Sequence, residues 1–309
     1  MCKPYSLTHS LTCRTWSCVG ADQEMAELHL LKRLSLNRNI VAATSLLHEI
    51  YVITEHSDTV YVYFCRRPYE LKTRVAIAGM DPADIATSYA CVGVYVLDRH
   101  NACVWRIHRQ PKDTTRHALN IGPGEVLRSM AITKNGAIVV VLNGNGIILY
   151  SPVDGRTERI SVEGASLSED EVAHAAEIGD GRLLACSGTQ TFVYDLKREE
   201  VCKAMDVGGN RIALKSSRTA IVTDRTGRLR MLDTELWETI DVNVGRNGQG
   251  VLRHVHCAME NGLVLVAWQN YLHVYSFDPM DMESHLADTD TTETRHEAAG
   301  ICRVYLAFA

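Results

Sequence analysis

Residues 81–107 read DPADIATSYACVGVYVLDRHNACVWRI. Its second half, VGVYVLDRHNACVWRI (92–107), is an apolar β-branched and aromatic run, a short polar turn over Asp98–Asn101, and a second apolar run. Such a pair predicts an antiparallel hairpin, because Asp and Asn tolerate turn backbone while Val, Tyr, Ile and Trp suit a pleated, packed surface. Its first half, DPADIATS (81–88), predicts a further short strand opened by a proline, where a missing N–H does least harm to the ladder.

The hairpin recurs. Working outward, similar pairs stand as HEIYVITEHSDTVYVYF, GAIVVVLNGNGIILYS, GRLLACSGTQTFVYDL, TAIVTDRTGRLRMLD and NGLVLVAWQNYLHVYSF. Near the end of each second strand an apolar residue precedes a large one. These are Tyr63, Trp105, Tyr150, Tyr194, Leu232 and Tyr275, spaced by 42, 45, 44, 38 and 43 residues. A period of this length over six copies predicts an all-β, six-bladed β-propeller of four-stranded antiparallel blades. Two weaker strands complete each unit. An innermost strand precedes the hairpin, as in DPADIATS, VLRSMAI (126–132) and VLRHVHCAM (251–259), and a more charged outer strand follows, as in RTERISV (156–162) and EVCKAMD (200–206). Charge belongs on the outermost strand, which is a free edge. Residues 168–176 read as a polar loop ahead of a strand. The sixth unit lacks an outer strand. LHLLKRLSL (28–36) is expected to supply it and close the ring, with ICRVYLAFA (301–309) as the rival. The expected organisation is a flexible segment over 1–25, the propeller over 26–278, and a polar acidic tail over 279–309 carrying a short apolar C-terminal strand.

The unit at 81–107 resembles an NHL-type repeat. Pro82, Ile85, Ala86, Tyr95, Val96, Asp98, Asn101, Val104 and Trp105 stand at matching positions. The third unit lacks the Pro and the Asp, and the fourth lacks the Pro. The chain has no WD or GH dipeptide of the usual WD40 pattern. The resemblance implies a WD40-like recognition platform for a protein or peptide partner.

Bulk properties point the same way. A net charge of −5 gives no global attraction for nucleic acid or anionic lipid. The ten cysteines are scattered without a CxxC pair or zinc spacing, there is no N-x-[ST] sequon, and no apolar run approaches a membrane span or a signal-peptide core. A cytoplasmic location is the expectation. No catalytic residue, metal ligand set or cofactor is read. The GxSxG elbow, the phosphate loop and the HExxH pair are all missing. His254 and His256 form an HxH on one face of an inner strand, without a third ligand in sequence.

If the fold holds, the loops between second and third strands gather at one end of the channel with the loops joining blades. The residues expected to bind there are Glu55, His56, Arg99, His100, Asn101, Asn145, Gln190, Arg225 and Gln269. Two alternatives remain at this level: a metal-dependent hydrolase or lactonase of the six-bladed type, and RNA binding through an Arg-rich face.

Overall fold

The computed structural model describes residues 25–66, 68–88, 92–108, 114–162, 171–216, 218–223, 226, 228–242, 252–257, 263–276 and 304–307. They form twenty-five strands. Strand β1 (Met25–Ser35) comes first. Blade 1 is β2–β5 (Ile40–Leu46, Glu49–Thr54, Thr59–Phe64, Leu71–Ala76), and blade 2 is β6–β9 (Pro82–Ser88, Gly93–Asp98, Cys103–Ile107, Thr114–Ala118). Blade 3 is β10–β13 (Leu127–Ile132, Ile138–Leu142, Gly146–Tyr150, Thr157–Ser161), and blade 4 is β14–β17 (Val172–Gly179, Arg182–Ser187, Thr191–Asp195, Glu200–Met205). Blade 5 is β18–β21 (Arg211–Leu214, Thr219–Thr223, Leu229–Asp233, Glu238–Val242). Blade 6 is β22–β24 (Leu252–Cys257, Leu263–Trp268, Tyr271–Ser276) with β1 as its outer strand. Within blades 1 to 5 the order follows the chain, blade 6 is completed out of order by β1, and neighbours are antiparallel.

The six inner strands close a circle: each packs on the next, and β22 packs on β2. Closure comes from the N-terminal strand, as the permuted order requires. His29–Ser35 of β1 pair with Tyr271–Ser276 of β24. The C-terminal segment takes part as well. Strand β25 (Val304–Ala307) pairs with Met25–Leu28 of β1 and meets Val242 of β21, so it bridges the outer strands of blades 5 and 6.

The six large residues that set the sequence period have a common task. Each apolar cluster lies between two neighbouring blades, since alternate residues of a strand face opposite sides of its sheet. Tyr150 packs in the cluster between blades 2 and 3, Tyr194 between 3 and 4, Leu232 between 4 and 5, and Tyr275 between 5 and 6. Tyr63 and Trp105 pack against the clusters between blades 6 and 1 and blades 1 and 2. Each is a wedge against the preceding blade. One bulky side chain per blade on the same face of the third strand is what the period records.

Burial is greatest in the second strand of a blade and least in the outermost. All of β11 is buried, whereas β9 and β13 are almost wholly exposed. The outer strands carry their charge as edge protection. Residues 172–176 were expected within a loop but belong to the inner strand β14. The run VAHAAE reads poorly as a strand because alanine has low β-propensity. Tertiary packing decides here, since small side chains suit the crowded axis.

The turn in the stretch quoted first is built on one carboxylate. Asp98 is buried and accepts from the backbone N–H groups of Asp81, His100 and Asn101, from Asn101 Nδ2 at 2.8 Å and from Trp105 Nε1 at 2.9 Å. Burial alone would raise its pKa, but these donors outweigh that and hold it below the usual carboxylate range. Asp98→Ala leaves several of these donors without an acceptor. The expected loss is about 1–3 kcal/mol of unfolding free energy, read from the urea midpoint.

Candidate interaction face and the channel

The loops between second and third strands and the loops between blades share one end of the ring. At this end Asn37, Arg38, Asn39, Glu55, His56 and Asn270 line an open depression of about 540 Å³ between blades 6 and 1. Its geometry is fixed from below. Asn39 Nδ2 donates to Glu55 Oε2 at 2.8 Å, Arg38 donates to the carbonyl oxygen of His56, and Arg253 lies 3.8 Å from Glu55 Oε1. His56 has φ +52°. A residue held in the left-handed region presents its side chain at a backbone angle that few other turns give.

The other expected residues divide by what they already hold. Arg99 is exposed, lies 3.7 Å from Asp81 and donates to the Pro82 carbonyl. His100 is exposed beside it. Asn101 is committed to Asp98 and to the Gly79 carbonyl. Asn145, with φ +63°, accepts from the Val172 N–H. Gln190 donates to Asp206, and Gln269 has φ +40° while its carbonyl accepts from Ile40. Arg225 lies outside the described residues. The loops therefore do not converge on one pocket. Glu55 and His56 share the depression, Arg99 and His100 stand on blade 2, and Asn101, Asn145 and Gln190 tie their turns to neighbouring segments at Gly79, Val172 and Asp206.

Sequence reasoning missed the polar centre of the channel. In five of the six blades the pairing of the inner strand with its neighbour slips just before the third inner residue. The residues just after the slip are Ala42, Asp84, Ser129, His174 and His254. Such bulges re-aim a side chain, and here three of the five re-aimed residues meet near the axis. Asp84, fully buried, accepts from Arg211 Nη1 of blade 5, which stands opposite across the ring, at 2.5 Å. It also accepts from the Met130 N–H of blade 3 at 2.8 Å. His254 Nδ1 of blade 6 lies 3.9 Å from Asp84, beyond hydrogen-bond reach, and His174 of blade 4 is buried close by. Ser129 ties blade 3 to blade 4 through the Ala173 carbonyl. Its trace in the sequence is an Asp within the inner strand Pro82–Ser88, with no local mark of the partner it meets.

The electrostatics follow from burial. Desolvation would raise the Asp84 pKa, but the Arg211 guanidinium prevails and holds it below the ordinary value. Burial pushes His174 and His256 down to about 4 and His254 to about 3, with Arg211 adding to the effect at His174 and His254. All three imidazoles are neutral at pH 7. His254 and His256 both border the channel, as alternation requires. Among the described residues no three of His, Cys, Asp and Glu are grouped so as to hold a metal ion. Cys65, Cys103, Cys186 and Cys257 are buried cysteines, and Cys202 is exposed. No helix among the described residues is long and apolar enough to cross a membrane.

No family model matches the chain, and no curated protein matches it in sequence. Among solved structures it is similar to the WD40 β-propeller domain of Doa1, with a TM-score of 0.59 and 11% identity over 82% of this chain and 98% of that one. The chain is a β-propeller. At this identity the likeness speaks to fold alone. The propeller fold is thus shared with a WD40 propeller, although the sequence carries none of the usual WD40 dipeptides.

Proposed function

We propose that this propeller is a non-catalytic interaction platform of the NHL or WD40-like kind, working in the cytoplasm and engaging a protein or peptide partner with its loop end. The reading rests on one observation. The depression around Glu55 and His56 combines both charge signs on backbone that the ring holds in place. Surfaces held ready in this way bind without first being ordered, and Arg in such a depression is a frequent anchor. Arg99 and His100 on blade 2 extend the same face. The NHL-type character rests on residues 81–107.

The test compares variants at the two ends of the ring. A stoichiometric partner recovered with the wild-type chain is expected to lose affinity by about tenfold or more in Arg38→Ala/His56→Ala, in keeping with anchors of this type. A further loss is expected when Arg99→Ala/His100→Ala is added. Val153→Ser, an exposed turn residue at the opposite end, is expected to leave binding unchanged. Equal loss in the Val153 variant, or none in the loop variants, sinks this reading.

A further inference from the structure

A cavity of about 270 Å³ occupies the channel on the side away from the recognition loops. It is bordered by the later halves of five inner strands, β6, β10, β14, β18 and β22, and by the turns that follow two of them. Ile85, Met130, Ile132, Ile212, Leu214 and Val255 supply apolar wall. His174 and His254, both about 95% buried at 5% exposure, border it on the side of the Asp84 cluster.

The protein satisfies neither imidazole fully: His174 bonds to the Met130 backbone and has one nitrogen to spare, and His254 has two. Neither ring nitrogen of His254 has a hydrogen-bond partner among the described residues, and His174 Nδ1 has none. A buried polar atom left this way costs on the order of 1–3 kcal/mol. Buried polar groups are otherwise almost always paired, so these nitrogens are open to water or to a bound group that completes them.

The charge balance narrows the chemistry. Asp84 and Arg211 neutralise one another below the cavity, and Lys134 and Glu177 at its rim are of opposite sign. Neither an anion nor a cation finds a free counter-charge there. The size narrows it again. A dry cavity of about 150 Å³ holds one benzene ring, so this one takes one or two rings.

We propose that the channel cavity is a binding site for one small uncharged molecule with an apolar body and a single hydrogen-bonding end, which sits on His254 and His174. A hydroxyl or ring N–H can donate to one imidazole nitrogen, and a hydroxyl can accept from another. The site is distinct from the loop face and can be occupied together with it.

The experiment titrates the full chain, labelled with ¹⁵N in its histidine rings, with indole, phenol and cyclohexanol. Benzoate and benzylammonium are the charged counterparts. One-to-one binding of a neutral probe is expected, with saturable shifts of the His254 and His174 ring resonances. Affinity for the charged counterparts is expected to be about tenfold weaker or worse, and His254→Leu is expected to lose about tenfold or more. Ile132→Trp, which fills the cavity wall, is expected to block binding with the amide spectrum still dispersed. If either variant fails to fold, the wild-type ring resonances decide alone. No saturable shift with any neutral probe at millimolar concentration means the cavity holds water only and overturns the proposal. So does equal binding of the charged probes, or shifts confined to other histidines.

Discussion

Lowering the pH from 7 to 4 is expected to unfold this propeller, with most of the loss between pH 6.5 and pH 4. The cause is a set of buried neutral histidines. His174, His254 and His273 are 5%, 5% and 2% exposed. Burial pushes His174 and His273 down to about 4 and His254 to about 3, where an unfolded chain has the ordinary value near 6.5. Above pH 6.5 both states are neutral at these sites and no stability depends on them. As pH falls below 6.5 the unfolded chain takes up protons that the folded ring refuses, so the unfolded state gains. The penalty keeps growing until the folded imidazoles themselves protonate near pH 4 and 3. A proton-affinity gap of this width corresponds to about 3 kcal/mol for each histidine. Three together approach the whole stability of an ordinary domain, about 5–15 kcal/mol. His256, at about 4, adds in the same direction. Asp84 does not act in this window. Its lowered pKa stabilises the ring above the unfolded carboxylate value and loses that effect only as pH falls further. Urea midpoints measured at half-unit steps check the expectation. His174→Gln/His273→Gln removes two of the titrating groups and is expected to flatten the decline. A wild-type midpoint that stays level from pH 7 to pH 5 would falsify the account.

The second large effect is expected at Asp84. Asp84→Ala leaves Arg211, only 14% exposed in its side chain, without its counter-charge, and leaves the Met130 N–H without its acceptor. Breaking a buried ion pair from one side costs about 3–5 kcal/mol, because the surviving charge is still kept from water. Asp84→Asn keeps an acceptor for Met130 and is expected to lie between Asp84→Ala and the wild type. Removing both charges together, as Asp84→Leu/Arg211→Met, is expected to recover much of the loss, since apolar replacements of buried pairs are often tolerated. Denaturant unfolding of the three variants separates these outcomes. A loss below about 1 kcal/mol in Asp84→Ala would show that the pair is wetter than its burial implies.

The ring was legible because the chain writes it locally. Tyr63, Trp105, Tyr150, Tyr194, Leu232 and Tyr275 each wedge against the preceding blade, and packing of that kind leaves a regular mark in sequence. The hydrogen-bonded turn at Asp98 was legible for the same reason, as donors and acceptor lie within a few residues. The channel centre was not. Asp84 and Arg211 are 127 residues apart, and His174 and His254 come from two further blades. A lone His or Asp in a strand says nothing of what it meets across a ring. The bulges that turn these side chains inward are equally silent, since no Gly or Pro marks most of them. Left-handed backbone at Gln269 escaped notice because the residue type does not announce it. At the loop face, residue types suited to turns were indistinguishable from residue types suited to recognition. Only the contacts separated Asn101 and Asn145, whose amides are occupied at Asp98 and Val172, from His56 and His100.

The edge laid down by Met25–Ser35 has a temporal side. Its ladder partner ends at Ser276, so a ribosome must make some 240 intervening residues before β1 finds β24. Throughout that interval the earliest segment is a sticky, unmatched ribbon, exposed to the wrong neighbour or to a second nascent chain. Contacts this distant in sequence are the slow ones to form. Annealing of the first segment onto the last sheet is therefore expected to limit the folding rate, and intertwined dimers sharing that segment are the expected by-product when refolding is attempted at high concentration.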